Sequence, residues 1–303
     1  MRTGWLRKMG TVVLTLALAA LTGCSVLTST KASDTITVVG KDFSEQDLLA
    51  NLVGVLIEKN TKLNVQIKPF LGGTDVCFNA VKNGGADLYV EYTGTGLVNI
   101  LGKEPMKDPQ KVYDTVKKEF AQKFQLEWQK PIGFNNTYAL AVTQETAKKY
   151  NLKKVSDLKA HAGHLTLGTE QEFLERWDGL KGLEKTYGIQ FADAKAMNPG
   201  LKYKALTSGE VDLIDAFSTD GQLVKHNLVL LEDDKHFFPP YYAAPVVRSE
   251  TLQKHPELRD VLAKLAGKID HKQMAVLNAQ VDTEKKKARD VAEAWLKEQK
   301  LIP

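Results

Sequence analysis

Residues 80–96 and 205–221 of this chain carry one pattern twice, and few architectures can accommodate that. Ala-Val-Lys-Asn-Gly-Gly-Ala-Asp-Leu-Tyr-Val-Glu-Tyr-Thr-Gly-Thr-Gly aligns without a gap on Ala-Leu-Thr-Ser-Gly-Glu-Val-Asp-Leu-Ile-Asp-Ala-Phe-Ser-Thr-Asp-Gly, at an offset of 125 residues. Ala80/Ala205, Gly84/Gly209, Asp87/Asp212, Leu88/Leu213 and Gly96/Gly221 are identical, while Tyr92/Phe217 and Thr93/Ser218 differ conservatively. Each copy reads as a helix closed by glycine, a buried strand, then an aromatic ring and a hydroxyl where the strand ends. Two such units imply two similar α/β lobes, each presenting a ring at the carboxyl end of a strand, where open α/β sheets bind ligands.

The chain from residue 34 onward fits that reading. Thr35–Val39 is a β-branched run, and Ser44-Glu-Gln-Asp47 looks like a capping box opening an apolar helix. Val65, Ile67 and Phe70 make a second strand ending in Leu71-Gly-Gly-Thr74, with a short helix from Asp75 to Asn83. Strands recur at 86–92, 138–142, 165–168, 211–217 and 228–231, and everything from Ser249 onward reads as helix. Alternation of this kind predicts parallel sheets covered by helices.

The first 23 residues are an address. Arg2, Arg7 and Lys8 precede an apolar run, Met9 to Leu21, which ends in Leu21-Thr22-Gly23-Cys24. This is a signal peptide, and its last four residues resemble the lipobox of bacterial lipoproteins, which implies cleavage before Cys24 and a diacylglyceryl group on its sulfur. Two acyl chains anchor stably where one is marginal. Residues 25–33 are small and polar, suited to a tether. The folded body is therefore expected on the outer side of the cell membrane.

Charge and motifs exclude other classes. Removing the three leader bases from 41 leaves 38 against 37 acids, far from the basic excess of a nucleic-acid binder. There is no phosphate loop, Cys-x-x-Cys or Gly-x-Ser-x-Gly elbow. His161 and His164 lack further metal ligands nearby, and Cys77 sits among apolar neighbours. No enzyme, metal or cofactor is expected.

Six motifs in order point further: Gly40-Lys-Asp-Phe-Ser-Glu-Gln46, Leu71-Gly-Gly-Thr74, Asp87-Leu-Tyr-Val-Glu-Tyr-Thr-Gly-Thr-Gly96, Asn135-Asn-Thr-Tyr-Ala-Leu140, Asp215-Ala-Phe-Ser-Thr-Asp-Gly221 and Phe237-Phe-Pro-Pro-Tyr-Tyr-Ala-Ala-Pro245. Over residues 34–303 the chain resembles the glycine betaine, carnitine and choline-binding lipoproteins of osmoprotectant ABC importers. The resemblance implies a two-lobed type II periplasmic-binding-protein fold, with an ABC permease and a cytoplasmic ATPase as partners. It also implies an aromatic cage for a trimethylammonium group, carried over to Tyr92, Tyr138, Phe217 and Tyr241. A quaternary ammonium has no N–H to donate, whereas ring faces attract its diffuse charge and tolerate its methyl groups, each for roughly 0.5–2 kcal/mol. Phe217 stands where a tyrosine is frequent, keeping the ring face and losing a hydroxyl. Tyr241 is chosen over Tyr242 because it follows the prolines directly.

For the other end of the ligand, Thr95 and Asn136 are candidate hydrogen-bonding groups. Lys41 either pairs with a ligand carboxylate or is a loop charge, and Asp75 either accepts from a hydroxyl or caps its helix. Arg176, in Glu172-Phe-Leu-Glu-Arg-Trp-Asp-Gly179, keeps open a bulkier betaine such as ergothioneine. The expected organisation is a signal peptide over 1–23, a tether over 24–33, lobe 1 over 34–136 and 242–303, and lobe 2 over 137–241. An enzyme or a sensor for trimethylammonium compounds is the alternative from another class.

Overall fold

The computed structural model describes residues 35–303; the leader, Cys24 and the tether lie outside the described residues. In chain order the strands are β1 (Thr35–Val39), β2 (Asn64–Lys68), β3 (Leu88–Tyr92), β4 (Leu126–Trp128), β5 (Tyr138–Val142), β6 (Thr166–Thr169), β7 (Asp193–Ala196), β8 (Leu213–Phe217), β9 (Val229–Leu231) and β10 (Ala243–Arg248). They form two five-stranded sheets, ordered β2-β1-β3-β10-β4 and β7-β6-β8-β5-β9. These are the two lobes of a mixed α/β fold. No helix among the described residues is long and apolar enough to cross a membrane.

The expectation of purely parallel sheets needs correcting. β1 pairs in parallel with β2 and β3, as β6 does with β7 and β8, but β10 runs against β3 and β4, and β5 against β8 and β9. The reversed strands follow directly on the segments that cross between the sheets. A strand arriving from the cleft side, with no helix to carry it round, enters at the carboxyl ends of its neighbours and must run backwards.

The repeated pattern is reproduced to the level of single hydrogen bonds. Gly84 and Gly209 adopt φ of 82° and 76°, the left-handed region that closes a helix. Asp87 and Asp212 each accept a backbone N–H with Oδ2, from Thr37 and Thr166 respectively, at 2.8 Å in both cases. The hydroxyls of Thr93 and Ser218 accept the N–H of Tyr242 and Thr137 at 3.0 and 3.1 Å. In return, the N–H groups of Thr93 and Ser218 donate to the carbonyls of Tyr242 and Thr137. Each hydroxyl thus pins a crossing segment just before it becomes β10 or β5. The crossings also pair with one another, through an antiparallel bridge between Asn135 and Tyr242.

The helix Ser44–Asn60 is the centre of the larger core. Leu48, Leu49, Leu52, Val53, Val55, Leu56 and Ile57 are all fully buried, each apolar side chain contributing about 1.5–3 kcal/mol by leaving water. It packs on β2 so closely that a Cβ at Gly54 would lie 2.5 Å from Ile67. The expected capping box is absent: Phe43 holds the N-cap position and no side chain caps the helix. Ser44 is instead the first helical residue, and the next one, Glu45, turns inward to a role described below. Cys77 is buried, and desolvation pushes its thiol up to about 12, which leaves it inert at neutral pH.

Candidate functional site

The carboxyl ends of β3 and β8 face one cavity of about 370 Å³, whose wall includes Tyr92, Tyr138, Phe217 and Tyr241. β3 delivers Tyr92 opposite Ala243 of β10, and β8 delivers Phe217 opposite Tyr138 of β5. Tyr241 stands at the second crossing, where Gly94 makes room for it: a Cβ there would lie 2.7 Å from the ring. Ring centroids of Tyr138 and Phe217 are 4.9 Å apart, and Tyr138 and Tyr241 meet edge to face at 5.7 Å. The four rings converge from both lobes and one crossing.

A fifth ring completes the arc. Phe43 stacks on Phe217 at 5.4 Å and faces Tyr92 at 6.4 Å, so it joins rings that would otherwise stand apart. It lies inside the Gly40–Gln46 motif, yet one aromatic in a loop carries no periodicity, and the sequence offers no sign of its direction.

Carboxylates set the ring orientations. The Tyr92 hydroxyl donates to Glu45 Oε1 at 2.7 Å, and the Tyr241 hydroxyl to Asp178 Oδ2 at 2.7 Å. Glu45 also accepts from Asn136 Nδ2 at 2.7 Å, from Thr219 Oγ1 at 2.6 Å and from Asn278 Nδ2 at 2.6 Å. Four donors match the capacity of one carboxylate, and they come from lobe 1, a crossing, lobe 2 and the C-terminal helices. Burial still pushes the Glu45 carboxyl up against the pull of those bonds. From sequence, Glu45 reads only as part of a capping box at the start of a helix, which hides this junction.

Three rings carry one of the protein's own cations over a face. Lys41 Nζ lies 5.4 Å from the Tyr92 centroid, Arg176 Cζ 5.6 Å from that of Tyr138, and Lys202 Nζ 5.0 Å from that of Phe217. Each cation is neutralised in turn. Lys41 pairs with Glu91 at 2.6 Å, and Lys202 with Glu170 at 2.6 Å and Asp215 at 3.2 Å. Arg176 grips Asp178 through Nε at 2.8 Å and Nη2 at 2.6 Å. Fixed, paired charges orient the rings without leaving a net positive wall against an incoming cation.

The polar candidates fare unequally. Lys41, Thr95 and Asn136 line the cavity. Lys41, however, is buried and also donates to Thr74 Oγ1 at 2.9 Å, so it is neither a solvated loop charge nor an unpaired receptor for a carboxylate. Asn136 commits its amide N–H to Glu45, and Thr95 Oγ1 accepts from Arg176 Nη2 at 3.1 Å across the cleft. Asp75 must be corrected. It is exposed and absent from the wall, while Thr74 lines it. The helix begins at Thr74 rather than Asp75, and successive helical positions differ by about 100°, so Thr74 faces inward and Asp75 away. Arg176 does face the cavity, with Glu172 beside it.

Known proteins resemble this chain over most of its length. A family model described as the substrate binding domain of ABC-type glycine betaine transport system matches residues 34–298. The carnitine transport binding protein OpuCC of Listeria monocytogenes is 42% identical over 267 residues, 88% of this chain and 87% of that protein. The ergothioneine transport permease/ergothioneine binding protein EgtU of Helicobacter pylori is 40% identical over 265 residues, 86% of this chain and 47% of that protein. A crystal structure of a glycine betaine/carnitine/choline ABC transporter superimposes with a TM-score of 0.72 at 38% identity, covering 88% of this chain and 99% of that one.

Proposed function

This chain belongs to the family of substrate-binding domains of ABC-type glycine betaine transport systems, and from that membership we propose that it captures choline, glycine betaine or carnitine in the five-ring cavity. It is an extracytoplasmic substrate-binding protein of an ABC importer, not an enzyme. The observation that carries the ligand reading is the convergence of Tyr92, Tyr138, Phe217 and Tyr241, joined by Phe43, on one cavity. Rings contributing roughly 0.5–2 kcal/mol each supply a useful part of the roughly 8 kcal/mol that micromolar affinity requires. Thr95 and Asn136 complete the wall, with the lobes divided near 136/137 and 241/242. The ligand, touching both lobes, favours the closed form, which docks on the permease while a cytoplasmic ATPase drives transfer. Lipid on Cys24 tethers the body to the cell membrane.

Ergothioneine is the second reading. It is favoured by Arg176 on the cavity wall and by the relative that carries that name. Calorimetric titration of the full chain with choline, glycine betaine, carnitine and ergothioneine, with ethanolamine as an unmethylated control, tests both. Micromolar binding of at least one methylated ligand and none of ethanolamine is the expected result. Heat from ethanolamine equal to that from choline would remove the basis for a cage.

A further inference from the structure

Given a trimethylammonium in the rings, the polar part of the wall determines which tail is tolerated. Its two cations, Lys41 and Arg176, are already matched by Glu91 and Asp178. Of its acids, Glu170 is matched by Lys202, and Asp42 is exposed. Glu172 is different. From lobe 2 it reaches over the cleft and accepts the backbone N–H of Thr74 with Oε1 and the Thr74 hydroxyl with Oε2 at 3.1 Å. The Arg176 guanidinium lies 3.6 Å away, and about a third of the Glu172 side chain remains exposed. Burial alone would push its carboxyl up, but Lys41, Arg176 and the Thr74 bonds outweigh that and hold it below the usual carboxylate range. It is an anion at neutral pH.

We infer that Glu172 determines how the cavity ranks ligands with carboxylate tails against those with hydroxyl tails. The donors a ligand carboxylate would seek here are those that Glu172 engages: the Thr74 N–H and hydroxyl by hydrogen bonds, and the Nη1 edge of Arg176 as an ion pair at 3.6 Å. A carboxylate tail must displace it or lie beside it, and like charges sharing donors repel. A hydroxyl tail has a proton to give and finds in Glu172 an acceptor. The reading rests on the ligand class proposed above.

The test is the ratio of affinities of the full chain for choline and for glycine betaine and carnitine, measured in the wild type, Glu172→Gln and Glu172→Asp. Glu172→Gln keeps the shape and loses the charge. It should tighten both carboxylated ligands about tenfold relative to choline, while Glu172→Asp keeps the wild-type ranking. A shift of all three ligands by one common factor would make Glu172 a closing contact only and overturn the inference, as would an unchanged ratio. A wild type that binds none of the three would sink the ligand class itself.

Discussion

Lobe 1 and lobe 2 agree where they are built and disagree where they face the cleft. Strand order, the glycine-closed helix, the Asp87 and Asp212 bonds and the Thr93 and Ser218 clamps are common to both. At the cleft, Tyr92 has its hydroxyl tied to Glu45, whereas Phe217 has none, and Thr95 of lobe 1 occupies the repeat position of Asp220 in lobe 2. Lys41 answers one carboxylate and Lys202 answers two. Scaffold positions tolerate few alternatives because each closes a helix or pins a crossing, while the ring-bearing ends are free to differ. The consequence is that lobe 2 carries more of the cage and more of the titratable charge.

The largest effect should therefore come from lobe 2. Tyr138 lies within 6 Å of Phe173, Phe217, Phe238 and Tyr241 by ring centroid, whereas Tyr92 faces Phe43 at 6.4 Å. Tyr138→Ala should weaken choline binding tenfold or more, a loss of roughly 1–2 kcal/mol, and Tyr92→Ala less; equal losses by calorimetry would break the asymmetry. Next is pH. Burial, with the negative charge of Asp215 adding to it, pushes the Glu170 carboxyl up to about 7 against the opposing pull of Lys202, and burial pushes Asp220 up to about 6. For acids raised in the folded state, the folded form holds its protons longer, so this stabilisation is full below their ordinary values and is lost as pH rises through 6 and 7. The melting temperature should fall between pH 5 and 8 by the equivalent of about 1–3 kcal/mol, and Glu170→Gln should flatten that slope in a scanning calorimeter. An unaltered slope would assign the loss to groups elsewhere. The smallest effect belongs to Phe217→Tyr, which keeps the ring face: choline affinity should stay within about twofold, and a larger change would show that the missing hydroxyl matters.

The parts that sequence made legible were those with a period or a partner. The repeat located Tyr92 and Phe217 because a strand end dictates where the next side chain points, and Tyr138 and Tyr241 came with their motifs. The unread parts depended on packing between distant segments. Glu45 gathers donors from residues 92, 136, 219 and 278, a meeting that no local pattern encodes. Phe43 lacks periodicity, and the exchange of Asp75 for Thr74 turns on one residue of helix phase. β4, β7 and β10 carry weak strand signals: Leu-Glu-Trp and Asp-Ala-Lys-Ala contain no β-branched residue, and Ala-Ala-Pro-Val-Val-Arg includes a proline.

Gly94 leaves Tyr241 standing against bare main chain, with no neighbouring side chain at that position to reshape. Selection or engineering that sought to retune this side of the enclosure by altering residue 94 would find every replacement colliding with the aromatic it meant to adjust. Adaptation there falls to Tyr241 itself and to the side chains that hold it, Asp178 on its phenol and Tyr138 against its ring, so this portion of the receptor should resist gradual change.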